Sequence, residues 1–158
     1  MLFLSRITNP EPRATNFMPI HVACAIIEEN DRVLAAQRNE FGRMPLKWEF
    51  PGGKIHVNES PEECLKREVM EEMGARLEIQ RALPPAIHDY ADFSVTLYPF
   101  VCSLITKEIT LHEHKAVKWL LPEELLTLDW AEADIPIIKA YLEGIDSGVT
   151  VKNGRGCP

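Results

Sequence analysis

Apolar residues recur at every fourth position through Leu65, Val69 and Met73, the clearest helical period in the chain. Both ends of that segment carry helix signals. Ser60 is a good N-cap, Pro61 suits the first helical position, Glu63 completes a capping box, and Gly74 is a good stop. Elsewhere the pattern is mostly that of strands. Residues 21–27 are β-branched and small, residues 28–32 form a polar turn, and residues 33–37 read as the return strand of a hairpin. Residues 39–46 contain Gly42 and Pro45 and read as a loop. Trp48, Glu49 and Phe50 run into Pro51-Gly52-Gly53, a strand end breaking into a tight turn. Further strands are expected near 77–83, 86–90, 95–105 and 116–120. Pro99 falls inside the longest of these, which predicts an edge position or a bulge. Pro122 opens a short helix to Leu128, and residues 133–142 have helical spacing ending at Gly144. Many strands with few helices give an α+β chain, an α/β/α sandwich.

Residues 1–19, with Pro10, Pro12 and Pro19 and no clear period, read as an N-terminal extension. Residues 145–158 read as an unstructured tail, which leaves 20–144 as one domain. A chain of 158 residues suits one sizeable core. No apolar run approaches the roughly 20 residues needed to cross a bilayer. The start, MLFLSRITNP, is too short and too soon interrupted for a secretory signal, so a cytoplasmic location and no membrane partner are expected. The formal charge of −7 argues against a surface built for long nucleic acids. It leaves room for a small phosphorylated substrate if a divalent cation stands between the charges. The four cysteines form no CxxC pair and fit no zinc spacing, so they read as free thiols packed as small apolar groups.

The helix carries the chemistry. On a wheel turning about 100° per residue with Leu65 at zero, Glu71 falls near 240°, Glu68 near 300° and Glu72 near 340°. Three carboxylates thus share one arc beside the buried stripe. Like charges at these spacings repel unless a cation joins them, and hard divalent ions prefer oxygen ligands. A solvated acidic face is the plain alternative. The flanking residues separate the two. GGKIHVNESPEECLKREVMEEMGA resembles the Nudix box, G-x5-E-x7-R-E-U-x-E-E-x-G-U, with U bulky and apolar. Gly53, Glu59, Arg67-Glu68-Val69, Glu71-Glu72 and Gly74 fill its fixed positions, and Ala75, smaller than usual, fills the last. A chance match in a chain of this length is on the order of one in ten million at average residue frequencies.

The resemblance covers most of residues 20–143 and is to the MutT-type branch, which hydrolyses nucleoside triphosphates to the monophosphate and pyrophosphate. LKWEFPGGKI, HEHKAVKWLLPEEL and ADIPII look like its cytidine-triphosphate pyrophosphohydrolase members; other members of the branch take oxidised nucleotides. It implies the Nudix sandwich and two or three Mg²⁺ ions, with Mn²⁺ a possible substitute, acting on a nucleotide in a monomer or homodimer. It further implies that Glu68, Glu71, Glu72 and the Gly52 carbonyl hold metal, that Gly53 allows the close turn, and that Arg67 pairs with Glu59 as support. The family's additional loop carboxylate is carried to Glu113 as metal ligand or base, so that Glu68 or Glu113 would take the proton from water. His112 and His114 beside it read as solvent-exposed, since no third soft ligand is near. Arg38 is carried to phosphate or base contact, or is a strand-end surface arginine. Phe50 lines the base pocket or is a core residue. Asp134 falls where guanine-reading relatives carry asparagine. An ionised aspartate accepts from cytosine's amino group, or Asp134 is simply a helix N-cap. A hydrolase of nucleoside-diphosphate-linked compounds and a non-catalytic nucleotide-binding module are the alternatives.

Overall fold

The computed structural model describes residues 17–147. Eight strands form one mixed sheet. Its spine is β3 (Trp48–Glu49), β2 (Arg32–Gln37), β1 (Ile20–Glu29), β7 (Ser94–Leu104) and β5 (Leu77–Ala82), side by side in that order. Onto it β4 (Gly52–Lys54) pairs with β1, β6 (Ala86–Asp89) with β7, and β8 (Ala116–Leu120) with β2. β1 and β7 run parallel, from Ile20 opposite Val95 to Glu28 opposite Ser103, and the other pairs are antiparallel.

Alternation along the strands builds two cores. Ala23, Ala25 and Ile27 of β1 face one side, where they meet Cys64, Leu65, Val69 and Met73 of α1 (Pro61–Met73). Cys24 and Ile26 face the other, with Ile137, Ile138 and Tyr141 of α2 (Ile135–Asp146). Helices therefore cover both faces of the sheet, as the strand-rich pattern predicts.

The ends of α1 follow their residues. The Glu63 N–H donates to Ser60 Oγ at 3.1 Å and the Ser60 N–H to the Glu63 carboxylate at 2.9 Å. Gly74 closes the helix in the left-handed conformation, φ 60°, its N–H on the Met70 carbonyl. The β1–β2 turn is tighter than the expected 28–32. Only Asn30 and Asp31 form it, at φ 50° and 62°, and these residue types tolerate the left-handed backbone that a two-residue hairpin needs.

Three expectations are corrected. Gly52 and Gly53 do more than turn the chain. They open β4, with Gly53 opposite Ala23 and Gly52 opposite Cys24 of β1. Pro99 is not on an edge: β7 lies between β1 and the pair β5 and β6. The Pro99 carbonyl accepts from the Leu83 N–H, and the proline's missing donor falls where β5 has ended and β6 has not begun. The bulge is in β5, where the register shifts between Ile79 and Arg81. Gly144 does not end the last helix, which runs on through Asp146. The segment Pro122–Thr127 is a 3₁₀ helix, and another, Glu132–Asp134, leads into α2. The N-terminal extension up to residue 16, the tail from 148 and Cys157 lie outside the described residues. Among the described residues no helix is long and apolar enough to cross a membrane.

Candidate functional site

The C-terminal half of α1 borders a cleft of about 520 Å³ that β3, β4, the 110–115 segment and the 3₁₀ helix before α2 help to line. Glu72 projects from α1 into its wall and is almost fully buried. Burial above all, then the charges of Glu49, Glu68 and Glu113, pushes its carboxyl up to about 9, with the Gly52 N–H pulling the other way. One of its oxygens, Oε2, is buried with no hydrogen-bond partner. Glu68 packs against β4, and a Cβ on Gly53 would collide with its carboxylate. A Cβ on Gly52 would run into the Ala23 carbonyl oxygen. Two strands and a helix meet there with no space for side chains, which is what requires the glycines.

Arg67 organises the outer side of this cluster. Its guanidinium grips Glu59 with both arms, Nε to Oε1 at 2.6 Å and Nη2 to Oε2 at 3.0 Å. It also reaches Glu68 at 2.8 Å and Glu71 at 3.3 Å. The Arg67 hydrogen bond, then the His56 N–H, lowers the Glu59 carboxyl to about 2. The expected Arg67–Glu59 pairing is present, and the fork geometry fixes the loop before α1 to the helix. Glu71 is half exposed, faces Arg67 and does not line the cleft.

At the other end Asp134 is buried, and its Oδ1 accepts the Phe50 N–H at 3.1 Å. Its side chain makes no cap bond to α2. Burial, and secondarily Glu49, raises its carboxyl to about 8 against the Phe50 N–H and Arg38. Phe50 is both things expected of it, a core residue tilted on Trp130 at 4.8 Å and part of the cleft wall. Tyr90 and Phe93 stack at 4.6 Å beside them, and the Tyr90 hydroxyl accepts the Ala133 N–H.

Arg38 lines the cleft with its charge already engaged, by Glu49 at 2.7 Å and the Arg43 carbonyl at 3.0 Å. Glu113 is exposed and lines the cleft from the 110–115 segment. His112 is exposed as expected, but His114 is not. Its side chain is 5% exposed and its Nε2 lies 3.0 Å from Glu49 Oε1. The segment folds back over the end of α1, and that turns the second histidine inward. Cys24, Cys64 and Cys102 are free and buried, as their pattern suggests.

A model of the NUDIX domain matches residues 18–141. The chain belongs to the Nudix family. It is a Nudix pyrophosphohydrolase of the MutT type. The CTP pyrophosphohydrolase of Escherichia coli K12 is 32% identical over 123 residues, 78% of this chain and 91% of that protein. An 8-oxo-dGTP diphosphatase of Proteus vulgaris is 37% identical over 92 residues, 58% of this chain and 82% of that one. The solution structure of the E. coli ORF135 protein superposes with a TM-score of 0.73 at 29% identity, covering 85% of this chain and 96% of its own.

Nudix enzymes typically depend on a divalent metal. The residues here fit one. The Glu72 carboxyl, its Oε2 without a partner and the charges of Glu49, Glu68 and Glu113 around it, offers hard oxygen donors. Among the described residues no three His, Cys, Asp or Glu side chains already converge as a cage, and Arg67 holds two of the helix carboxylates. Glu49, His114, Tyr90 and Phe93 are among the cleft residues that sequence reasoning passed over. The available signal for Glu49 was its place between two large aromatic residues, immediately before the glycine turn.

Proposed function

We propose that this Nudix enzyme hydrolyses nucleoside triphosphates, with cytidine-type or modified bases preferred, to the monophosphate and pyrophosphate. The observation that carries this reading is the single cleft holding Glu72 and Glu113 at one end and the buried carboxyl of Asp134 at the other. A triphosphate and a base fit those two ends respectively. Similarity to a CTP pyrophosphohydrolase supports the choice of substrate class.

In this reading Glu68, Glu72, Glu113 and the Gly52 carbonyl, with Glu71 from outside the cleft wall, would hold Mg²⁺, which would neutralise phosphate charge and make water more acidic. Glu68 or Glu113 takes the proton from the attacking water. Arg67 keeps Glu68 and Glu71 oriented, and the glycines let β4 lie close against β1 and against Glu68. Arg38 acts on the nucleotide through the loop it braces as well as by its place in the cleft wall.

The raised pKa of Asp134 changes how it reads a base. At neutral pH its carboxyl is largely protonated, so it offers one donor and one acceptor. That complements cytosine, whose N3 accepts and whose N4 amino group donates. It also complements the O6 and N7–H edge of 8-oxoguanine, so the proton on Asp134 admits both. A panel of canonical and oxidised nucleoside triphosphates, ADP-ribose, dinucleoside polyphosphates and nucleotide sugars, each with Mg²⁺, tests the proposal. Pyrophosphate release from triphosphates, CTP-like ones foremost, is expected, and cleavage of the linked nucleotides alone would overturn it. Asp134→Leu, which removes donor and acceptor alike, should lower turnover of CTP and 8-oxo-dGTP by about tenfold or more, while Asp134→Asn, which keeps one of each, should retain most of it. Turnover unchanged in the leucine variant removes Asp134 from base recognition.

A further inference from the structure

The segment 110–115 carries Glu113, whose carbonyl accepts one long bond from Asn39 Nδ2 at 3.4 Å, and its closer anchors belong to its neighbours. The Thr110 and His112 N–H groups donate to the Met73 and Glu72 carbonyls at the end of α1, at 2.9 and 3.0 Å. The Lys115 N–H donates to the Gln37 carbonyl at the end of β2, at 2.9 Å. Between these ties the His114 side chain turns inward to Glu49, Nε2 to Oε1 at 3.0 Å. The other Glu49 oxygen takes Arg38 Nη1 at 2.7 Å, and Arg38 Nε donates to the Arg43 carbonyl at 3.0 Å. One carboxylate thus joins β3, the end of β2, the loop after it and the Glu113 segment.

An ionised carboxylate only accepts, so His114 Nε2 bears the hydrogen. Its Nδ1 is then left buried with no partner. An unsatisfied buried nitrogen is a cost that an apolar side chain of similar size would not carry. What the imidazole adds over such a side chain is a directed, charge-assisted bond to Glu49.

We infer that His114 is a positioning residue which, through Glu49, fixes where the 110–115 segment presents Glu113 to the carboxylates of α1. This rests on the proposed part of Glu113 in hydrolysis. Misplacing a reacting group by even an ångström slows chemistry more than it weakens binding. His114→Ala should therefore lower kcat about tenfold or more while KM stays within about twofold. His114→Gln places an N–H near where Nε2 stands and should recover most of the loss. In a Glu49→Ala background, His114→Ala should cost little more, because the bond is already absent.

Amide hydrogen exchange reads the same contact without turnover. Exchange at residues 113–115 should accelerate in His114→Ala while α1 stays protected. If the alanine variant does not fold, His114→Asn takes its place, since its amide stops short of Glu49. Equal kcat in the alanine and glutamine variants, a change in KM alone, additive losses with Glu49→Ala, or unchanged exchange would overturn the inference. Absence of pyrophosphate release by the wild-type enzyme from every triphosphate would instead sink the proposed function, and the exchange experiment would still decide the role of His114.

Discussion

The two ends of the cleft are built on opposite plans. In the proposed reading the phosphate end is charged and mostly local: Gly52, Gly53 and Glu72 come from a glycine turn and the helix after it, and Glu113 is brought in from farther along the chain. The base end is largely aromatic and dispersed: Phe50, Tyr90, Phe93 and Asp134 come from segments far apart in sequence. At the first end a buried carboxyl stands among like charges. At the second a buried carboxyl stands among rings, with a single backbone donor. Most of the proposed reaction end is thus specified by neighbours in sequence, and the proposed base end by neighbours in space only.

The largest expected effect is at the phosphate end. Glu72→Gln should lower kcat roughly a hundredfold or more at saturating Mg²⁺, because metal ligation contributes several kcal/mol to transition-state stabilisation. The fold should hold, with a melting temperature unchanged or higher, since the variant removes a group repelled by its surroundings. Near-normal kcat would erase the contrast between the ends.

Arg67→Lys comes next. A lysine cannot grip Glu59 with two arms while reaching Glu68, so kcat/KM should fall about tenfold and melting by several degrees. Activity and melting assays on one preparation separate the two effects.

The two buried carboxyls also predict a shared pH signature. Both Glu72, at about 9, and Asp134, at about 8, titrate above their unfolded values. The native state therefore holds protons that the unfolded chain has released, and stability falls as pH rises. The loss begins above the unfolded carboxyl range, near pH 5, and is complete once pH passes the folded values. Melting measured without divalent metal from pH 5 to 9 should decline, and Glu72→Gln should flatten much of that decline. An upward slope would reverse the assigned sign.

The smallest effect lies away from both ends. Ser60→Ala removes one half of the capping box and should cost about 1 kcal/mol, or a few degrees of melting temperature, with kcat unchanged.

The same contrast explains what could be read from the sequence. α1 was legible to the residue because its caps, its stripe and its carboxylates are all local signals. The sheet was legible as a set of strands but not as an order. Pro99 pointed to an edge because a missing donor is usually tolerated there. In this fold the gap between β5 and β6 provides the same tolerance inside the sheet. Gly144 looked like a stop, yet α2 continues through it to Asp146, with Ser147 at the end. His114 looked like a surface residue because its partner, Glu49, lies 65 positions away. Asp134 lines the cleft, but its raised carboxyl could not be read in advance, because burial is a property of the assembled fold.

Glu72 has a consequence for how the enzyme meets its metal. Burial and the neighbouring carboxylates hold the Glu72 carboxyl well above the usual range, so in its proposed role a divalent cation would displace the proton it carries. Titrating the protein with Mg²⁺ in weakly buffered solution should then acidify it. The heat of binding should shift with the ionisation enthalpy of the buffer, and the apparent affinity should climb toward alkaline pH. On the proposed role of Glu72 the uptake of a cation and the release of a hydrogen ion would be one event, and the magnesium concentration that half-saturates the enzyme would be a reading of the acidity around it.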